Sequence, residues 1–205
     1  MSGSLFIISA PSGAGKTSLV HALLATNPQI DLSVSYTTRA PRAGEVDGVA
    51  YHFISREIFI EMAGRGEFLE SAEVYGNFYG TSQRWISQEN AKDRDILLEI
   101  DWQGAAQVRR QFPECVSVFI LPPSIAALAQ RLKGRGTDSQ EIIARRMKAV
   151  REDVAHVAEF DYVIINDDLN EALHEFNAVV LAARLRSICQ LTRHQNLINQ
   201  LQNPE

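Results

Sequence analysis

The sequence predicts an α/β protein whose core is a doubly wound parallel sheet, and two observations predict it. Short apolar runs, typical of strands buried on both faces of a parallel sheet, lie at about 5–9, 95–100, 116–121 and 162–165. Helical patterns separate these runs, at about 16–26, 102–112, 124–133 and 140–158. Regular alternation of strands and helices is typical of a doubly wound α/β core.

A phosphate-binding loop (P-loop) is predicted where the first strand meets the first helix. The loop contains two glycines and ends in Lys-Thr: Ala10, Pro11, Ser12, Gly13, Ala14, Gly15, Lys16 and Thr17. In such a loop the backbone N–H groups bind a nucleotide polyphosphate, Lys16 reaches the terminal phosphates, and the Thr17 hydroxyl ligates Mg²⁺. A plain strand–turn–helix with an exposed lysine is the alternative, and the two glycines at this junction disfavour it.

Ala10 stands where such loops usually begin with glycine. Alanine lacks only the freedom of glycine to adopt a positive φ. We therefore expect a negative φ at Ala10, with Gly13 and Gly15 meeting any demand for positive φ.

Composition limits the class of protein and its partners. The chain has 205 residues, 45% hydrophobic and 22% charged, as expected of one soluble globular domain with a sizeable core. A net charge of −5 argues against a nucleic-acid partner. Cys115 and Cys189 lack metal-ligand spacing, and no segment is long enough to span a bilayer. We expect a cytoplasmic protein that does not bind membranes.

Residues 33–90 interrupt the alternation and predict a small mixed, mostly β insertion between the first two core strands. Its strand-like runs lie at 49–54 and 68–74, among glycine-containing turns. From Leu169 onwards, a stripe of apolar residues predicts one long C-terminal helix.

We predict a single domain with three parts. The predicted core consists of about 1–34, 91–133 and 155–205, the insertion of about 35–90, and a helical lid of about 134–154. The glycines around Arg135 suit a mobile lid.

Two groups of arginines are candidates for phosphate binding. Arg39 and Arg42 flank Pro41, which restrains the loop so that two guanidinium groups form a fork for one phosphate. The second group surrounds the predicted lid: Arg131, Arg135, Arg145 and Arg146. Arginines at one hinged loop suit stabilisation of a transferring phosphoryl group. The alternatives are a solvated loop with two salt bridges and a charged helix pair facing water.

Carboxylates also fall at informative positions. Asp101 ends a core strand, where ligands of open α/β sheets bind, so it is a candidate to hold Mg²⁺ through water or to touch a second substrate. A helix N-cap is the alternative for Asp101. Glu99 alternates with Asp101 in this strand, and the alternative for it is a buried structural carboxylate.

The chain resembles guanylate kinases of the bacterial type. The matching segments, in the order of that family, are 9–17, 34–45, 68–70, 76–81, 100–104, 131–136 and 165–168. The Thr-Thr-Arg-x-Pro-Arg-x-Gly-Glu stretch at 37–45 is much more specific than the phosphate-binding loop, which many families share. The resemblance implies transfer of the ATP γ-phosphate to GMP with Mg²⁺, and we expect dGMP to be an acceptor too. The sequence leaves the oligomeric state open between a monomer and a homo-oligomer.

The resemblance also implies site residues. Those that contact GMP are Ser35, Arg39, Arg42, Tyr51, Glu70, Tyr79, Thr81 and Asp101. Arg131, Arg135 and Arg146 belong to the lid and meet the phosphates, and Asn166 lies near the adenine. The chemistry agrees, because Glu70 can accept from both guanine N1–H and the N2 amino group, which adenine does not offer. A kinase for another phosphorylated acceptor and a non-catalytic binding module are alternatives that these residues disfavour.

Overall fold

The computed structural model describes residues 3–90, 92, 94–133 and 149–203. The strands are β1 (Leu5–Ser9), β2 (Ile30–Leu32), β3 (Tyr36–Thr37), β4 (His52–Phe53), β5 (Phe68–Val74), β6 (Asn77–Ser82), β7 (Asp95–Glu99), β8 (Val116–Leu121) and β9 (Tyr162–Ile165). The helices are α1 (Lys16–Thr26), α2 (Arg56–Gly64), α3 (Gln83–Asn90), α4 (Trp102–Gln111), α5 (Ile125–Lys133), α6 (149–155), α7 (Leu169–Arg184), α8 (Ser187–Arg193) and α9 (Gln195–Gln202).

Five parallel strands form the core sheet, in the order β2-β7-β1-β8-β9. The central strand β1 is buried throughout, as its continuous apolar run requires. Its side chains alternate between the faces, so that Phe6 and Ile8 pack with Phe176 of α7 while Ile7 packs with Val108 of α4. Helices therefore cover both faces, and the predicted doubly wound core is confirmed.

A second, mixed sheet has the order β4-β3-β6-β5 and stands between β2 and β7 in the chain. β3 pairs parallel with β4, whereas β3–β6 and β5–β6 are antiparallel. On one side Phe59 of α2 stacks on Phe68 and Phe78, at centroid distances of 4.5 and 5.2 Å. The predicted mixed insertion is thus confirmed, although the predicted strand 49–54 is reduced to His52–Phe53.

Three sequence-based expectations differ from the structure. The strands β2, β3 and β6 and the helices α2 and α3 were not predicted, because none has a long apolar period. The single C-terminal helix is instead α7, α8 and α9, with breaks at 185–186 and at His194. Of the helix predicted at 140–158, residues 149–155 are helical and Val157–Glu159 form a 3₁₀ turn, while 134–148 lie outside the described residues.

Both cysteines are buried and free, as expected from their spacing. Among the described helices, none is both long and apolar enough to cross a membrane.

Candidate active site

A cleft of about 270 Å³ lies between the phosphate-binding loop, the carboxyl end of β7 and the mixed sheet. The core contributes Lys16, Thr17 and Asp101 to its lining, and the mixed sheet and its loops contribute Arg42 and Glu70. The cleft is therefore placed where open α/β sheets bind their ligands, beyond the carboxyl ends of neighbouring strands.

The backbone of the loop has the conformation that its glycines predict. Gly13 and Gly15 have φ values of 90° and 92°. In the part of the chain that the structure describes, Tyr75 is the one residue other than glycine with a positive φ, so the expected negative φ of Ala10 is confirmed. Gly15 is the N-cap of α1, and within the described residues no side chain caps this helix, which leaves its first N–H groups available where the helix lines the cleft.

A small polar cluster holds the loop from behind. The Asn166 side-chain amide donates to the Ala14 carbonyl at 2.8 Å, and Arg131 donates to the Ala14 and Asn166 carbonyls at 3.4 and 3.0 Å. A Cβ on Gly15 would lie 2.3 Å from Asn166 Nδ2, so only glycine fits there. Asn166 and Arg131, predicted near the adenine and the phosphates, thus support the loop in this structure.

Lys16 and Thr17 face the end of β7. Lys16 Nζ donates to the Ile100 carbonyl at 3.3 Å, and the Thr17 hydroxyl donates to Glu99 Oε1 at 2.7 Å. Glu99 lines the cleft, so its interpretation as a buried structural carboxylate is wrong. The hydroxyl and the carboxylate are hard oxygen donors that suit Mg²⁺. The described residues contain no group of three or more His, Cys, Asp or Glu positioned for a metal, so substrate phosphates and water would supply the other ligands.

Glu70 is the most buried carboxylate of the cleft, with 3% of its surface exposed. Its Oε1 accepts from the Thr81 hydroxyl at 2.6 Å, across the β5–β6 ladder. Burial, with a smaller contribution from the charge of Asp101, raises the pKa of Glu70 to about 7. The other carboxylate oxygen is 2.3 Å from where a Cβ of Gly104 would be, so glycine at this position of α4 makes room for it.

The backbone on both sides of Glu70 is held by α4. Gln107 exchanges two hydrogen bonds with Ser71, at 2.8 and 3.2 Å, and Gln111 donates to the Leu69 carbonyl at 2.7 Å. These glutamines fix the strand that carries Glu70 to the core. The sequence offered no spacing signal that marks them.

Asp101 is the N-cap of α4, as in the alternative interpretation, and it also lies in the cleft, while its contact with Mg²⁺ or a second substrate stays a prediction. Its carboxylate accepts from the Gly104 N–H at 2.8 Å as the N-cap of α4, and it also lines the cleft. Burial raises its pKa, against the hydrogen bond from Gly104 and the charge of Lys16.

Two tyrosines accompany the predicted phosphate-binding arginines, and the Arg39 guanidinium lies 5.4 Å from the ring centroid of Tyr51. Arg42, Tyr51 and Tyr79 line the cleft, and the tyrosine ring centroids are 5.8 Å apart. Burial raises the pKa of Tyr51 to about 12, which keeps its hydroxyl a donor. Arg39 forms a salt bridge with Glu45. One of the two salt bridges expected for a solvated loop is therefore present.

The remaining predicted residues divide into three sets. Ser35 lines the cleft, as do the loop residues Ala10, Pro11, Ser12, Gly13 and Gly15. Thr81 and Ala14 are fully buried beside it. Arg135 and Arg146 lie outside the described residues, so their assignment stays a prediction.

Asp153 and Trp102 are among the cleft residues that the sequence analysis missed. Asp153 of α6 lines the cleft, and burial together with the charges of Asp101 and Glu152 raises its pKa to about 6. Trp102 lines it too and stacks on His156 at a centroid distance of 3.5 Å. No local pattern marks Asp153; the position of Trp102 within the matched segment 100–104 was a signal.

The comparison with protein families decides the assignment. The guanylate kinase family model matches residues 2–183. The chain belongs to the guanylate kinase family. The guanylate kinase of Thiobacillus denitrificans is 59% identical over 198 residues, covering 97% of this chain and 95% of that protein. That of Aromatoleum aromaticum is 59% identical over 194 residues, 95% of each chain.

A solved structure agrees with this membership. The crystal structure of guanylate kinase from Anaplasma phagocytophilum superimposes with a TM-score of 0.77 at 34% identity, over 91% of this chain and 88% of that chain. The guanylate kinase family match therefore extends over both the core sheet and the mixed sheet.

Proposed function

We propose that the cleft binds the ATP phosphates at the loop and GMP at the mixed sheet, and transfers the γ-phosphate between them. The chain is an ATP:GMP phosphotransferase of the guanylate kinase family. The observation that carries the site assignment is that Lys16, at the start of α1 in the core, and Glu70, in the mixed sheet, line one cleft.

At the core end, the N–H groups of the loop and of the first turn of α1 bind the β- and γ-phosphates. Lys16 adds a positive charge, with its Nζ held toward the end of β7 by the Ile100 carbonyl. Thr17 and Glu99 would hold Mg²⁺, directly or through water, and the ion would neutralise phosphate charge.

At the other end, Glu70 accepts from guanine N1–H and the N2 amino group, with Thr81 and Ser35 beside it. Adenine has no N2 donor and a bare N1, so AMP would leave this buried carboxylate unpaired. Arg39, Arg42, Tyr51 and Tyr79 bind the GMP phosphate through charge-assisted hydrogen bonds.

The reaction needs no general base, because the second pKa of the GMP phosphate lies near 6 and the group is largely a dianion at neutral pH. One of its oxygens attacks the γ-phosphorus, the bond from that phosphorus to the β–γ bridging oxygen breaks, and ADP leaves with those electrons. Lys16 and the predicted lid arginines Arg131, Arg135 and Arg146 offset the charge of the transferred group.

The cellular compartment is part of this proposal. Both cysteines are free and buried, which fits a reducing cytoplasm. ATP and GMP are the small-molecule partners.

Substitution of Glu70 by glutamine tests the assignment of the guanine end. We expect kcat/KM for GMP to fall by about 100-fold and the preference for GMP over AMP to narrow, because the amide replaces one acceptor with a donor. A coupled assay with ATP and each of GMP, dGMP, AMP and UMP measures this.

The matched control is Glu73→Gln, an exposed glutamate of the same strand. It should leave all four acceptors at wild-type rates. An unchanged ratio of GMP to AMP in the Glu70 variant would refute the guanine-reading role.

A further inference from the structure

Glu45 closes the specific segment 37–45, and no role has yet been given to it. We propose that Glu45 is a positioning residue that fixes both arginines of the GMP-phosphate site. This inference rests on the proposed function, since it assumes that Arg39 and Arg42 bind that phosphate.

The first contact is with the guanidinium of Arg39. Its NH1 and NH2 donate to the two carboxylate oxygens of Glu45, at 3.0 and 2.8 Å, in a bidentate pair. NH1 also donates to the Ala40 carbonyl at 2.7 Å. The two side chains are 14% and 21% exposed, so the pair is largely shielded from water. A planar guanidinium held at two points keeps its remaining N–H groups in fixed directions.

The second contact is with the backbone of Arg42. The Arg42 N–H donates to Glu45 Oε2 at 2.7 Å, and the Glu45 N–H donates to the Arg42 carbonyl at 3.1 Å. Glu45 therefore closes a turn on Arg42 from both sides. The exposed side chain of Arg42 lines the cleft from a backbone that this one carboxylate restrains.

The directions in which the pKa values of Glu45 and Arg39 are shifted agree with this geometry. Burial would raise the pKa of Glu45, but the hydrogen bonds from Arg39 and from the Arg42 backbone lower it below its ordinary value. Burial would likewise lower the pKa of Arg39, but the hydrogen bonds to Glu45 and the charge of Glu45 more than offset this effect. The pKa of Arg39 is therefore raised. Both groups are thus charged wherever the enzyme works.

On charge alone, removal of the Glu45 carboxylate would strengthen the binding of GMP. This carboxylate carries the same sign as the GMP phosphate and neutralises Arg39, so the site attracts a dianion less strongly with it than without it. A positioning role predicts the opposite, namely that GMP binds more weakly once the carboxylate is gone. The two effects have opposite signs, and one measurement separates them.

The experiment compares Glu45→Gln, Arg39→Ala and the double variant, by KM for GMP and for ATP, kcat, and the inhibition constant of guanosine. We expect Glu45→Gln to raise KM for GMP about tenfold, with kcat, KM for ATP and guanosine inhibition within about twofold. Guanosine carries the base without the phosphate. General damage to the fold would therefore change the inhibition constant of guanosine as well, whereas loss of the phosphate site alone would not.

In the Arg39→Ala background, Glu45→Gln should add clearly less than tenfold, because residues that act through one another are not additive. Glu45→Asp keeps the charge but is one methylene shorter, and it too should raise KM for GMP. The control is Glu67→Gln, which breaks an exposed pair with Arg65 in the same insertion and should change nothing.

Three results would overturn the inference: an unchanged or lower KM for GMP in Glu45→Gln, a wild-type KM in Glu45→Asp, or equal effects of Glu45→Gln with and without Arg39. If Arg39→Ala itself leaves KM for GMP unchanged, the assignment of the phosphate site is what fails.

Discussion

The core sheet and the mixed sheet build the two ends of the cleft by different means. At the core end, the loop offers backbone N–H groups, and its shape depends on Gly13 and Gly15 at positive φ. At the other end, the proposed binding groups are side chains, and two of them are held by further side chains. Glu70 is held by Thr81, and Arg39 by Glu45. A backbone site leaves a compact signature in the sequence, whereas a side-chain site is spread along the chain.

The comparison predicts that the two ends control different kinetic constants. Lys16→Ala should lower kcat by about 10³-fold, because it removes a charge that neutralises the transferring phosphate. GMP affinity, measured by calorimetric titration without ATP, should change less than about twofold. Lys92→Ala removes an exposed lysine and should change neither quantity. A wild-type kcat in Lys16→Ala would contradict this assignment of kinetic constants to the two ends. So would a loss of GMP affinity as large as the loss of kcat.

A second prediction tests the space that α4 leaves for Glu70. Gly104→Ala places a methyl group 2.3 Å from the present position of Glu70 Oε2, so the buried carboxylate must move away from its guanine-reading position. We expect KM for GMP to rise about 30-fold. The melting temperature should stay within about 4 °C, because alanine favours the helix by about 1 kcal/mol.

Gly64→Ala is the matched control, since Gly64 also lies in a helix. Apart from its chain neighbours and its own helix backbone, no atom of the described residues would lie within 4 Å of its added Cβ. This variant should leave KM for GMP unchanged. A wild-type KM in Gly104→Ala would mean that Glu70 is not held where the guanine binds.

The third prediction concerns pH. With a pKa of about 7, Glu70 is mostly protonated at pH 6 and mostly ionised at pH 8, and only the ionised form accepts twice from guanine. We expect kcat/KM for GMP to rise about tenfold over this range from Glu70, in addition to the ionisation of GMP itself. Glu70→Gln should lack the part of the rise that Glu70 causes, although Asp153, whose pKa burial raises to about 6, still titrates in the cleft. Identical pH profiles for the two proteins would contradict this.

The raised pKa of Glu70 also makes the stability of the folded protein depend on pH. In the folded protein it lies above the ordinary value of 4.5, so between those values the folded state binds more protons than the unfolded state. Glu70 therefore contributes a loss of stability as pH rises from about 4.5 to about 7. Removing the carboxylate by Glu70→Gln should flatten that part of the stability profile.

The sequence predicted the core sheet well because its evidence is local. Continuous apolar runs predicted β1, β7, β8 and β9. The two glycines of the phosphate-binding loop predicted its backbone conformation, including the negative φ of Ala10. The mixed sheet was predicted in kind but not in detail, since β6 contains Gly80 and no apolar alternation. Most GMP-site residues came from the family resemblance, because Glu70 and Thr81 form a pair only through the β5–β6 ladder.

The residues that the sequence analysis missed share a physical reason. Glu99 meets Thr17, and Gln107 meets Ser71, only after distant elements have packed. Asp153 reaches the cleft from α6. Such contacts have no fixed spacing along the chain, so periodicity and local motifs carry no information about them.

The chain enters the mixed sheet after β2 and returns at β7, which are neighbours in the core sheet. At this junction the Ser33 N–H donates to the Leu97 carbonyl at 3.0 Å, and the Asp95 N–H donates to the Gln29 carbonyl at 3.2 Å. Both connections to the mixed sheet therefore leave the core side by side, at its β2 edge. In mechanical terms, the mixed sheet is an arm attached at one edge of the core and tied to it a second time by Gln107 and Gln111 of α4.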